Sequence, residues 1–141
     1  SDICVTLRAK ENFGFLFVFN YHMVEKDTTL SLKLKEKFIK IPKLRLGVRS
    51  CQILPVNIKL NDSVTIDYSN VEIVDFKNSK KGLVLITNST SKYTAEIVSN
   101  VTKKIKKVKI DGKIVKFNLR GNNLKINFET NDDFQEIEFV E

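Results

Sequence analysis

The groups that could do chemistry in this chain are few. It has one histidine, His22, two cysteines, Cys4 and Cys51, and 17 carboxylates. A nucleophilic triad needs an imidazole held between a nucleophile and an orienting carboxylate. A zinc centre needs three or four nitrogen or sulfur ligands. One histidine with two cysteines far apart in sequence supplies neither pattern, so His22 is expected as a strand-end residue. Glu136, Glu138 and Glu141 fall on a terminal strand pattern, and Asp132 and Asp133 fall in a turn. Glycoside hydrolysis requires two carboxyls facing each other about 5–10 Å apart across a cleft. No spacing here singles out such a pair, and solvated charge is the expected role of these acids. The chain also lacks a G-x-G-x-x-G or P-loop pattern. No catalytic, cofactor-binding or metal-ligating residue is therefore assigned, and no cofactor is implied.

Charge and aromatic content bear on binding. The formal net charge is +7, and 20 of the 24 basic residues are lysine. Nucleic-acid readers rely on arginine for bidentate and stacking contacts. A lysine-rich surface that also carries glutamate matches the habit of hyperthermophile proteins. The densest basic run, Lys103–Lys109, is interleaved with Ile105 and Val108 rather than with aromatics, so it offers no base-stacking platform. Nucleic acid is the less favoured partner. A carbohydrate site usually needs exposed aromatic rings, or a groove that holds one of the tyrosines. The chain has no Trp and three Tyr, namely Tyr21, Tyr68 and Tyr93. Three N-x-S/T sequons, at Asn61, Asn88 and Asn100, are expected in turns or linkers. Whether Cys4 and Cys51 pair stays open, with two buried or edge thiols as the simpler expectation.

The elements that must position these groups are strands. Phe13, Phe15, Phe17 and Phe19 alternate with Gly14, Leu16 and Val18, so both faces of this run are apolar. Such a strand is expected to be central and covered on both sides. Leu30, Leu32 and Leu34 alternate with polar residues, as on a strand with one wet face. Pro42 suggests an edge or strand end, and Pro55 is expected to stop the strand that begins at Val48. Val64, Ile66 and Tyr68 alternate, and Leu83–Ile86 reads as a buried strand. Asp111-Gly112 is a strong hairpin signal between Val108/Ile110 and Val115/Phe117. Strand patterns punctuated about every 8–12 residues, with no helical periodicity, predict an all-β fold. The expected form is a β-sandwich or jelly-roll-like domain with a C-terminal antiparallel meander. Residues 1–98 form the expected sandwich and 99–141 the meander, within the same domain or beside it. No stretch approaches the roughly 20 apolar residues of a membrane-spanning helix, and no signal-peptide pattern opens the chain. A cytoplasmic location is the expectation. The start at Ser1 is compatible with a piece of a longer polypeptide.

Several segments, taken in order, resemble the all-β domain that follows the catalytic barrel in family 35 glycoside hydrolases, the β-galactosidases. Gly14-Phe-Leu-Phe-Val-Phe-Asn-Tyr21 is similar to the strand that opens that domain. Asp27-Thr-Thr-Leu-Ser-Leu-Lys33 matches the Thr/Ser/Leu-rich strand after it, and Ile39-Lys-Ile-Pro42 matches its "IP" segment. Arg49-Ser-Cys-Gln-Ile-Leu-Pro-Val-Asn57 is similar to its R-S-x-x-I-L-P-x-N stretch. Val64-Thr-Ile-Asp-Tyr-Ser-Asn-Val-Glu-Ile73, and Leu83–Ile86 with Ala95–Val98, continue the series. Val108-Lys-Ile-Asp-Gly-Lys113 would open the small β module that often follows. Asn70-Val71 departs from the family's usual Thr-Ala pair. The family's catalytic glutamates lie on the barrel, so none maps onto this chain. The resemblance implies a non-catalytic accessory domain whose partner is a catalytic barrel or a subunit interface. Alternatives are a stand-alone carbohydrate- or surface-binding module, a polyanion-binding barrel using Lys103–Lys109, and a homo-oligomer.

Overall fold

The computed structural model describes residues 3–141 and is built from strands. In chain order they are β1 (Ile3–Lys10), β2 (Phe13–Asn20), β3 (Lys26–Leu34), β4 (Lys37–Leu46), β5 (Cys51–Lys59), β6 (Val64–Ser69) and β7 (Glu72–Ser79). Then come β8 (Gly82–Asn88), β9 (Thr94–Val101), β10 (Lys107–Ile110), β11 (Lys113–Val115), β12 (Asn118–Arg120), β13 (Asn123–Glu129) and β14 (Phe134–Val140). They make a seven-stranded sheet ordered β1-β2-β5-β6-β9-β13-β12, a five-stranded sheet ordered β11-β10-β14-β8-β7, and the hairpin β3-β4. All pairings are antiparallel. The fold is all-β and sandwich-like.

The seven-stranded sheet packs on both of its faces, but in different places. At β9, Ala95, Ile97 and Val101 join Leu124, Ile126 and Phe128 of β13 in a core shared with Leu83, Leu85, Ile137 and Phe139 of the five-stranded sheet. At β2 and β5, Leu16, Val18, Leu54 and Val56 pack against Ile39, Ile41, Leu44 and Leu46 of the hairpin. The switch of face is made by an irregularity in β6. Ile66 opposes Ser99 and Tyr68 opposes Val98, so β6 uses one residue more than β9 between those pairs. Such a bulge turns the strand over. Ile66 therefore belongs to the first core while Tyr68, two residues on, packs against the second. In β5 the facing residue, Asn57, takes a left-handed backbone (φ 53°) at the same level. The hairpin and the five-stranded sheet consequently lie on opposite sides of the seven-stranded sheet.

This arrangement corrects the expectation for the phenylalanine run. Gly14, Leu16, Val18 and Asn20 are buried, but Phe13 and Phe15 are 40% and 39% exposed. The five-stranded sheet lies on the phenylalanine side, yet its edge strand β7 reaches only as far as β5. It ends before covering β2 and β1. The hairpin on the other side leaves β1 open as well, with Val5 and Leu7 exposed. Gly14 permits the close approach of β1, since a Cβ there would lie 2.3 Å from the Arg8 carbonyl oxygen.

Two further readings change. β5 runs through Pro55 rather than ending there. β6 pairs with β5 only from Val56 onward, so one edge of β5 is open at Pro55 and a missing N–H is tolerated. The C-terminal strands form hairpins divided between sheets rather than a continuous meander. β13 pairs with β9, whereas β14 returns to lie between β10 and β8. Residues before and after position 98 share the larger core.

Candidate functional site

The outer face of β2 is the most distinctive surface among the described residues. Antiparallel register sets its rows. Phe13 stands beside Lys10, and Phe15 between Arg8 and Pro55. Phe17 stands between Thr6 and Ile53, and Phe19 between Cys4 and Cys51. Successive phenylalanines are about 6.6–6.8 Å apart along the strand. Phe17 and Phe19 are half-buried. Tyr21 extends the row at 63% exposure, with its ring stacked on Phe19 at 5.9 Å between centroids and 14° between planes. Beside this pair is a shallow depression of about 470 Å³ bordered by Asn20, Arg49, Ser50 and Cys51. On the neighbouring edge, Val74 and Phe76 of β7 are also exposed.

The Tyr21 end of the row is held by buried Asn20. Its Nδ2 donates to the carbonyls of Val24 (2.8 Å) and Gly47 (2.9 Å), and its Oδ1 accepts the His22 N–H (2.9 Å). The Arg49 N–H donates to the His22 carbonyl at 3.0 Å. The only histidine thus sits in the turn that closes β2. Burial pushes the Cys51 thiol up, helped by the nearby Glu72 carboxylate. Glu72 is itself raised by burial, opposed by the Ile53 N–H that donates to it. This face holds apolar area, a basic margin at Arg8 and Lys10, and two free thiols, Cys4 and Cys51.

No family model matches the chain, and no curated protein matches it.

A second feature lies on the opposite side of the seven-stranded sheet. There the hairpin and the outer face of β9 and β13 border an open polar cleft of about 390 Å³. Glu96 is central to it, with only 14% of its side chain exposed. Its carboxylate accepts from the Tyr68 hydroxyl (2.8 Å) and Asn127 Nδ2 (3.3 Å), and pairs with the Lys125 ammonium at 3.5 Å. Burial, then the bond to Glu96, raises the Tyr68 phenol well above its ordinary value. The Thr94 hydroxyl donates to Glu129. On the hairpin, Arg45 Nε donates to Asp27 (3.0 Å), and that bond holds the Asp27 carboxyl below its usual range. Exposed pairs of this kind are screened by water and add little to stability, so this one orients side chains more than it stabilises the fold.

The other residues singled out in the sequence lie apart. Glu136 is exposed on β14, Glu138 faces Lys109, and Glu141 pairs with Lys103 at 3.9 Å. Asp132 and Asp133 are in the exposed turn before β14. Within the lysine run, Ile105 and Val108 are buried while most of the lysines point outward. Tyr93 donates its hydroxyl to the Asn70 carbonyl (2.7 Å). Of the sequons, Asn61 caps its own turn by accepting the N–H groups of Ser63 and Val64. Asn88 closes β8 and Asn100 lies within β9, not in turns as expected. Cys4 and Cys51 are free thiols on either side of Phe19. Two strand spacings, roughly 9–10 Å, exceed the Cα separation a disulfide spans. The cleft was missed in the sequence because its residues come from four strands and the β8–β9 connection, with no local pattern.

Proposed function

We propose that this chain is a non-catalytic accessory β domain of a β-galactosidase-like glycoside hydrolase. It packs through the outer face of β2 on a catalytic barrel or a subunit interface. The observation that carries the reading is the part-exposed aromatic row from Phe13 to Tyr21, in which Phe13, Phe15 and Tyr21 are exposed and Phe17 and Phe19 half-buried. Monomers seldom leave so continuous an apolar strip in water, and strips of this kind mark contact surfaces. The face is bordered by β1 and by the edge strand β7, whose Val74 and Phe76 are also exposed, and apolar surface of this extent suits a protein partner. The ordered resemblance from Phe13 to Val98 names the partner's class. A polyanion is less well served, because only Arg8 and Lys10 flank the row on β1, whereas single-strand binding uses a long cationic track.

The reading frame upstream of Ser1 provides the test, together with the barrel it should encode. That barrel, produced separately, is expected to bind this chain and to gain nitrophenyl galactoside turnover on doing so, while the chain alone gives none. Turnover by the purified chain alone, or an upstream frame that encodes no barrel, overturns the proposal.

A further inference from the structure

The polar cleft is independent of the docking face, from which the seven-stranded sheet separates it. Three carboxylates line it, Asp27, Glu96 and Glu129, and three cations, Lys43, Arg45 and Lys92. The cleft is therefore close to neutral, and a ligand of either charge would meet as many like charges as opposite ones. The side chains are also committed to one another. Asp27 is held by Arg45, and by Lys43 at 3.8 Å. Glu96 is held by Tyr68, Asn127 and Lys125. A zwitterionic ligand would have to break those pairs. An apolar ligand would strip water from polar groups without replacing their hydrogen bonds, which costs free energy.

A neutral ligand rich in hydroxyl groups meets none of these penalties. Each hydroxyl can donate to a carboxylate and accept from a neighbouring ammonium or amide at once, so it can bridge the existing pairs instead of displacing them. Asn127 donates through Nδ2 to Glu96 and to the Ala95 carbonyl, which directs its own Oδ1 elsewhere as an acceptor. Lys92 is exposed at the rim. Pro42 and the exposed part of Tyr93 contribute apolar surface on which a C–H face can rest. The lining is preorganised, because Asn70 Oδ1 accepts the Glu96 N–H at 2.6 Å and fixes β9 at this point. We infer that this cleft binds a saccharide of neutral residues, between β4 of the hairpin and strands β9 and β13.

The test is a nuclear magnetic resonance titration of the whole chain with the methyl β-glycosides of glucose, galactose and mannose. Glucuronate and glucosamine serve as the charged comparisons. Saturable shifts are expected at the amides of residues 92–96 and 127–129 with at least one neutral glycoside. Asn127→Ala should weaken binding about tenfold, the loss of roughly one hydrogen bond to ligand. Lys92→Ala, at an exposed position, serves as the second variant should the first perturb the fold. Phe15→Asp should leave binding unchanged, so failure of the docking proposal and failure of this one are distinguishable. No saturable shift with any neutral glycoside overturns the inference. So does tighter binding of either charged analogue, or shifts confined to the β2 face.

Discussion

Asn70→Ala is expected to destabilise the chain by about 3 kcal/mol or more, measured by urea unfolding, although no apolar volume of consequence is lost. Asn70 is 1% exposed, and its single amide joins three segments. Nδ2 donates to the carbonyl of Lys43 on β4 (3.1 Å) and, more weakly, to that of Thr94 on β9 (3.4 Å). Oδ1 accepts the Glu96 N–H. Alanine makes none of these bonds and leaves part-buried backbone groups without them, at about 1–3 kcal/mol each when water does not replace the bond. Asp is no substitute. It keeps an acceptor for Glu96 but loses the donor, and it buries a carboxylate near Glu96. The hairpin is tied to the main sheet at this point, so its amides should also exchange faster in Asn70→Ala. A loss below about 1 kcal/mol would show that packing of the Leu16–Leu54 core holds the hairpin without the amide.

The second large effect concerns association. Phe15→Asp should leave the free chain folded, because the side chain is already part-exposed and a carboxylate there can stay hydrated. In the complex with the barrel the same carboxylate would be buried against apolar surface. Interface anchors of this kind cost 2 kcal/mol or more on truncation, and an unpaired buried charge costs further. Affinity for the barrel should therefore fall at least about thirtyfold. Titration calorimetry checks the affinity, and thermal unfolding of the free variant confirms the fold. Phe38→Asp is the control. Phe38 is 78% exposed on the hairpin, away from the proposed face, and the substitution should change affinity little.

How much of this was legible in the sequence depends on how local each signal is. The Asp111-Gly112 turn was readable because two adjacent residues carry it. Both take positive φ, 50° and 81°, and join β10 to β11. The alternation of the phenylalanine run was equally plain. Which of its faces would be covered was not, because both are apolar, and the answer depends on where β7 stops relative to β2. That is a matter of strand order across the whole sheet. The same holds for the C-terminal strands. Their hairpins are local, but the choice of β9 as partner for β13 is made by Ile97, Ile126 and the core they share. Pro55 misled because its cost depends on whether a neighbour needs its N–H. The polar cleft had no local signature, since Asp27, Arg45, Glu96 and Asn127 converge only when β6 turns over at its bulge and the hairpin settles on the opposite face.

The direct measurement of the central claim, that the outer face of β2 is the docking surface, uses a group already on that face. Cys4 is exposed beside Phe19. Its rate of alkylation by a neutral maleimide, followed by intact-mass spectrometry, can be compared in the free chain and in the complex with the barrel. Rapid labelling of the free chain and at least about tenfold protection in the complex are predicted. Equal rates, in a complex whose formation is confirmed by size, would place the contact elsewhere and contradict the account.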